Sequence, residues 1–165
     1  MATALRCGAA TNHPDLHYLS MQVSEIMTRE VETAAPDTSL QQAASTMEAL
    51  GVGSLPVCDG NRLVGTITDR DIVVRAVAAG LSPVDTLVRD CMTDDIVYAF
   101  CDEGAEEVLE RMKTLQIRRL AILDRDKALM GIVSLGDVAT EPRAAALASV
   151  GSAVAEISEP SRPRK

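Results

Sequence analysis

Leu40, Ala43, Ala44, Met47 and Leu50 recur at intervals of three and four residues, which puts them on one face of an α-helix. Pro36-Asp37-Thr38-Ser39 supplies the start of that helix, and Gly51 ends it in a left-handed conformation. A short helical turn around Ser24–Met27 and an extended piece at Val31–Ala34 are predicted ahead of it. Beyond Gly51 the pattern changes. Ser54–Cys58 and Leu63–Ile67 are apolar runs joined by Asp59-Gly60-Asn61, which reads as a β-hairpin. A second helix is predicted from Asp69 to Ala79, stopped by Gly80.

The same plan then returns. Val23-Ser24-Glu25-Ile26-Met27-Thr28 reappears as Val88-Arg89-Asp90-Cys91-Met92-Thr93, and Asp37, Met47, Leu50 and Leu55 match Asp102, Met112, Leu115 and Leu120 at the same offset. After one inserted residue, Gly65-Thr66-Ile67-Thr68-Asp69-Arg70-Asp71-Ile72 matches Gly131-Ile132-Val133-Ser134-Leu135-Gly136-Asp137-Val138. The second copy predicts a helix near Glu103–Leu115, strands at Leu120–Leu123 and Leu129–Val133, and a helix from about Leu135. The fold class is therefore α/β (α+β): two β-α-β-β-α repeats packed with pseudo-two-fold symmetry, so clefts between them come as a related pair. Residues 1–20 read as a flexible arm, 21–84 and 85–141 as the repeats, and 142–165 as a final helix (Arg143–Ile157, opened by Pro142) with a disordered tail.

Composition narrows the function classes. Hydrophobic residues make up 47% of the 165-residue chain but aromatics only 2%, so the core is aliphatic, as in helix-on-sheet layers. A net charge of −8 argues against nucleic acid and anionic membrane as partners. No apolar run approaches the roughly 20 residues of a membrane span, and no secretion signal is evident. Cys7, Cys58, Cys91 and Cys101 lack CxxC spacing, and His13 and His17 are far from any cysteine pair. Reduced thiols in the cytoplasm, with no metal site, are the expectation.

Both copies place a hydroxyl residue after a Gly-led strand and an Asp three residues later: Thr68/Asp71 and Ser134/Asp137. A hydroxyl at a helix N-cap can donate to a phosphate, and the nearby carboxylate can accept both hydroxyls of a ribose diol. The same atoms also spell a capping box, in which the two side chains satisfy backbone N–H groups. Duplication weakens the capping-only reading without removing it. Catalysis finds little support: neither repeat holds a His, and no nucleophile–base pair or glycine-rich phosphate loop appears.

The stretch from Val23 to Ala139 resembles a tandem pair of CBS domains, the Bateman module, of the stand-alone bacterial type. The resemblance rests on the Val-x-x-x-Met-Thr lead-ins, Leu55-Pro56-Val57, and the Gly65-x-x-Thr68-x-x-Asp71 and Gly131-x-x-Ser134-x-x-Asp137 signatures. It implies a cleft binding AMP, ADP, ATP, NAD or S-adenosylmethionine, with the hydroxyl on phosphate, the Asp on ribose and the base against the opposite repeat's first strand. Carried onto this chain, one site combines Ser134 and Asp137 with Thr28 and Val31, and the other combines Thr68 and Asp71 with Thr93 and Ile96. Arg118 and Arg119 lead into the Ser134 site, whereas their counterparts are Gly53 and Ser54. A preference for phosphorylated ligands at the Ser134 site, and a weaker or empty Thr68 site, are expected. A solvated strand edge with the arginines paired to acids such as Asp124 is the plainer alternative.

Two functions follow. One is a non-enzymatic adenine-nucleotide sensor acting through its own C2 homodimer or an unnamed protein partner. The other is a ligand-free dimeric scaffold or stress-response interaction protein.

Overall fold

The computed structural model describes residues 21–141 together with Gly151 and Ala155, both of which are helical. The N-terminal arm, the rest of the predicted final helix and the tail lie outside the described residues.

Local chemistry accounts for the first helix, α1 (Leu40–Leu50). Ser39 Oγ accepts from Gln42 N at 3.2 Å, and the Gln42 side chain accepts from Ser39 N. Leu40, Ala43 and Met47 are buried on its inner face, and Gly51 closes it at φ 65°. Strand β1 (Ser54–Asp59) pairs antiparallel with β2 (Arg62–Thr68), as the hairpin pattern predicts. The extended piece ahead of α1 contributes a single parallel bridge, Ala34 to Val57. Helix α2 is α-helical over Asp69–Asp71 and π-helical over Ile72–Val77, and Gly80 follows at φ 72°.

The second copy opens with α3 (Val88–Cys91) and β3 (Tyr98–Phe100), which pairs parallel with β4 (Arg119–Leu123). Strand β4 pairs antiparallel with β5 (Leu129–Ser134), which runs into α5 (Leu135–Thr140). Helix α4 (Ala105–Leu115) starts two residues beyond the predicted Glu103. The Glu103 carboxylate is occupied elsewhere: it accepts from Phe100 N at 2.7 Å and from the Arg111 guanidinium at 2.6 Å. Gln116 closes α4 at φ 55°, the position matching Gly51.

Each half lends its lead-in to the other. Met21, Val23 and Met27 are buried in a core with Ala99, Leu109, Met112, Ile122 and Val133, all from the second copy. Val88 and Cys91 are buried in the core of the first copy, with Leu40, Met47, Val57 and Ile67. The result is a mixed α/β fold of two repeats whose cores are each completed by the opposite chain segment. Cys58, Cys91 and Cys101 are free thiols, and burial pushes Cys58 and Cys91 above the ordinary thiol range.

Candidate functional site

Ser134 ends β5 and caps α5. Its Oγ accepts from Asp137 N at 3.1 Å, and its own N–H donates to Asp137 Oδ2 at 2.7 Å. The capping box is thus formed in full. It engages one carboxylate oxygen of half-buried Asp137 and leaves Oδ1 without a described partner; among the described residues Asp137 meets no cation.

Gly131 explains how the opposite repeat reaches this point. A Cβ there would overlap the Thr28 carbonyl oxygen and lie 3.1 Å from Met27 Sδ. With no side chain in the way, Thr28 N donates to Ile132 O at 2.8 Å and Ile132 N to Thr28 O at 2.9 Å. Thr28 therefore stands beside Ser134 although the two are far apart in sequence. Together with Val31, Arg119, Ser134 and Asp137 it lines a cavity of about 310 Å³, at the small end of the roughly 300–1,000 Å³ of small-molecule sites. Leu50, Val52, Leu55 and Ile132 supply an apolar wall. Arg118 does not line this cavity; its carbonyl accepts from Leu135 N at 3.0 Å. Neither arginine pairs with Asp124, whose Oδ1 accepts from Asp126 N and Ala128 N.

The first-repeat residues are arranged differently. Thr68 and Asp71 form the matching capping box, with Thr68 Oγ1 donating to Asp71 Oδ2 at 2.6 Å. Thr93 pairs with Thr66 through two backbone hydrogen bonds of 2.9 Å, and Gly65 makes room as Gly131 does. Here, however, Arg75 fills the approach. Its Nη1 donates to Cys91 O and Met92 O, both at 2.8 Å, and its Nη2 donates to Thr93 Oγ1 at 3.1 Å and lies 3.4 Å from Asp71 Oδ1. Both carboxylate oxygens of Asp71 are therefore engaged within the chain. Ile96 lines a separate central cavity of about 190 Å³, alongside Asp95 and Arg119. The position matching Arg75 in the second copy is Glu141.

This exchange of lead-ins, with paired hydroxyl–carboxylate caps at the two strand ends, can be compared with known proteins. The family model described as CBS domain matches residues 23–77 and again 88–143. The chain belongs to the CBS-domain family. It is a CBS pair, a regulatory module. It is 38% identical over 136 residues to the CBS domain-containing protein YhcV of Bacillus subtilis, covering 82% of this chain and 94% of that protein. It is 35% identical over 116 residues to Hypoxic response protein 1 of Mycobacterium tuberculosis, covering 70% and 80% respectively. Among solved structures, it is similar to the CBS-domain pair of protein MJ0100, which was crystallised in complex with 5′-methylthioadenosine and S-adenosyl-L-methionine. That match has a TM-score of 0.63 at 27% identity and covers 72% of this chain and 93% of the other.

Three residues of the CBS pair's clefts escaped the sequence reading. Glu30 and Glu32 line the Ser134 cavity, flanking Val31, and Arg75 fills the approach to Asp71. Arg75 had a visible signal, since it follows Asp71 by four helical positions. Among the described residues, no group of three or more His, Cys, Asp or Glu side chains is placed to hold a metal ion, and no helix is long and apolar enough to cross a membrane.

Proposed function

We propose that this CBS pair is a non-enzymatic regulatory module that binds an adenosine-containing ligand such as AMP, ADP, ATP or NAD in the Ser134/Asp137 cleft. The observation that carries the reading is Asp137, which lines a cavity walled by the opposite repeat and whose Oδ1 has no described partner. The carboxylate accepts the ribose diol, Ser134 and Arg119 take the group at the 5′ position, and the base lies against Thr28 and Val31. The complex reported for the MJ0100 pair supports an adenosine class of ligand. Output runs through a C2 homodimer in the cytoplasm, or through a protein partner, by way of apolar side chains left exposed on α2. Val73, Val74 and Val77 are 57%, 54% and 59% exposed there.

Calorimetry and thermal melting test this with the wild-type chain, Asp137→Ala and Asp71→Ala. At a ligand concentration of 100 times Kd, binding adds about 2.7 kcal/mol of stability. The rise in melting temperature is expected in wild type and Asp71→Ala and is lost in Asp137→Ala. Equal affinity of wild type and Asp137→Ala refutes the site. A second reading, a ligand-free scaffold, is favoured by the completeness of both capping boxes. It prevails if neither an adenine nucleotide nor adenosine or S-adenosylmethionine at millimolar concentration moves the melting temperature.

A further inference from the structure

The adenosine reading leaves open how the cleft treats the charge of what it binds. The cavity at Ser134 is lined by three carboxylates, Glu30, Glu32 and Asp137, against one cation, Arg119. Asp137 sits at the ribose end, where the diol neutralises its demand for donors. Glu30 and Glu32 flank Val31 on the exposed lead-in segment that continues from Thr28, so they give the cavity an acidic rim on its lead-in side. Arg118, which would have balanced them, does not line the cavity. The adjoining central cavity shares Arg119 but adds Asp95, so the field turns no more positive there. The whole chain carries a net charge of −8, which adds to the same bias.

We propose that this cleft selects among adenosine ligands by charge: it takes those whose 5′ substituent is neutral or cationic and disfavours polyphosphates, with Glu30 and Glu32 as the residues that set the selectivity. Each added phosphate brings negative charge toward two carboxylates while only Arg119 answers it, and like charges drawn into one partly desolvated space repel. This inference rests on the adenosine reading above, and it reverses the preference for phosphorylated ligands expected from the two adjacent arginines. The two arginines are adjacent in sequence, but only Arg119 lines the cavity, and Glu30 and Glu32 line it as well.

A graded ligand series tests the proposal on the full chain, by calorimetry at low salt without divalent cations: adenosine, AMP, ATP and S-adenosylmethionine. Affinity is expected to fall with each phosphate, with ATP at least tenfold weaker than adenosine, and S-adenosylmethionine is expected to bind at least as tightly as adenosine. The gap between ATP and adenosine shrinks in 0.5 M salt, because screening weakens rim repulsion. In the Glu30→Gln/Glu32→Gln double variant the ratio of ATP to adenosine affinity rises at least fivefold. ATP binding as tightly as adenosine in the wild type overturns the proposal and leaves the adenosine reading standing. An unmoved ratio in the double variant overturns the assignment to Glu30 and Glu32. Binding of none of the four compounds defeats the adenosine reading, and the charge selectivity with it.

Discussion

Replacing Gly131 by alanine probes the contact on which the cleft is built. The added methyl would overlap the Thr28 carbonyl oxygen, a backbone atom that cannot rotate away, and press on Met27 Sδ at 3.1 Å. Relief requires the lead-in to retreat from β5, which breaks the reciprocal Thr28–Ile132 hydrogen bonds of 2.8 and 2.9 Å. Two such bonds contribute about 1–3 kcal/mol, and loosening of buried Met27 adds to that. A loss of about 2–4 kcal/mol follows, or a fall in Tm of roughly 10 °C for a chain of this size. Gly65→Ala is the internal comparison. Its methyl meets Met92 Sδ at 2.7 Å and the Thr93 carbonyl at 3.1 Å, so a flexible thioether absorbs most of the clash. That substitution should cost about 1 kcal/mol. Urea denaturation of the two variants beside wild type reads both numbers. If Gly131→Ala unfolds with the wild-type midpoint, or if Gly65→Ala is the more damaging, the crossing lead-in does not hold the halves together as argued.

Arg75→Met should cost about 1–2 kcal/mol in urea denaturation, because it leaves the Cys91 and Met92 carbonyls without their charged donor at a half-exposed site; an unchanged midpoint would show that Arg75 is not a strut. Asp102 accepts from the Arg125 guanidinium at 2.7 and 2.9 Å, and that hydrogen bonding holds its carboxyl below the usual range. A depressed folded-state value means the pair's contribution is present above the unfolded carboxylate pKa and is lost as pH falls through the folded one. NMR titration should find the Asp102 value restored to the ordinary range in Arg125→Gln, and no difference between the two proteins would refute the pairing.

Helix α1 and the β1–β2 hairpin were readable because their signals are local: apolar spacing, a Ser39–Gln42 cap, a glycine stop and a turn of polar residues. The end of α4 was harder, since Gln116 takes the left-handed position that Gly51 fills in the first copy. What lay out of reach was non-local. Nothing along the sequence says that Met21, Val23 and Met27 are buried with the second copy, because apolar spacing shows that a face is buried and not against what. The glycines at 65 and 131 were visible as motif positions, but their reason, the approach of a crossing backbone, needs the fold. Arg75 belongs to the same class: three of its four partners lie 16 to 18 residues away, and two of those are carbonyls, which carry no residue signature. The expectation that Thr28 and Ser134 share a site came from family resemblance rather than from periodicity; the Thr28–Ile132 bonds that bring the two residues to one cavity are non-local.

Duplication supplies two copies of one hydroxyl–carboxylate pair, and a single pair of matched positions separates their fates. In the first copy, four residues after Asp71, Arg75 ties the carboxylate to Thr93 and to the end of α3. A ribose entering there must displace a guanidinium that also holds two carbonyls, giving up hydrogen bonds of roughly 0.5–1.5 kcal/mol each. Losing two or three of them weakens binding by about tenfold to a thousandfold. In the second copy the matching residue is Glu141, which offers no cation, and the Asp137 oxygen stays open beside a cavity. On the proposed reading, one CBS pair therefore holds one ligand, and the ligand bridges Thr28 of the first lead-in to Ser134 of the second copy much as Arg75 bridges Thr93 to Asp71. The occupied cleft and the self-filled cleft then become alike, so binding restores a symmetry that the sequence lacks. A ligand that completes the tie between halves favours whichever arrangement brings Thr28 and Asp137 closest, and that differential preference is what a regulatory module requires to shift its population.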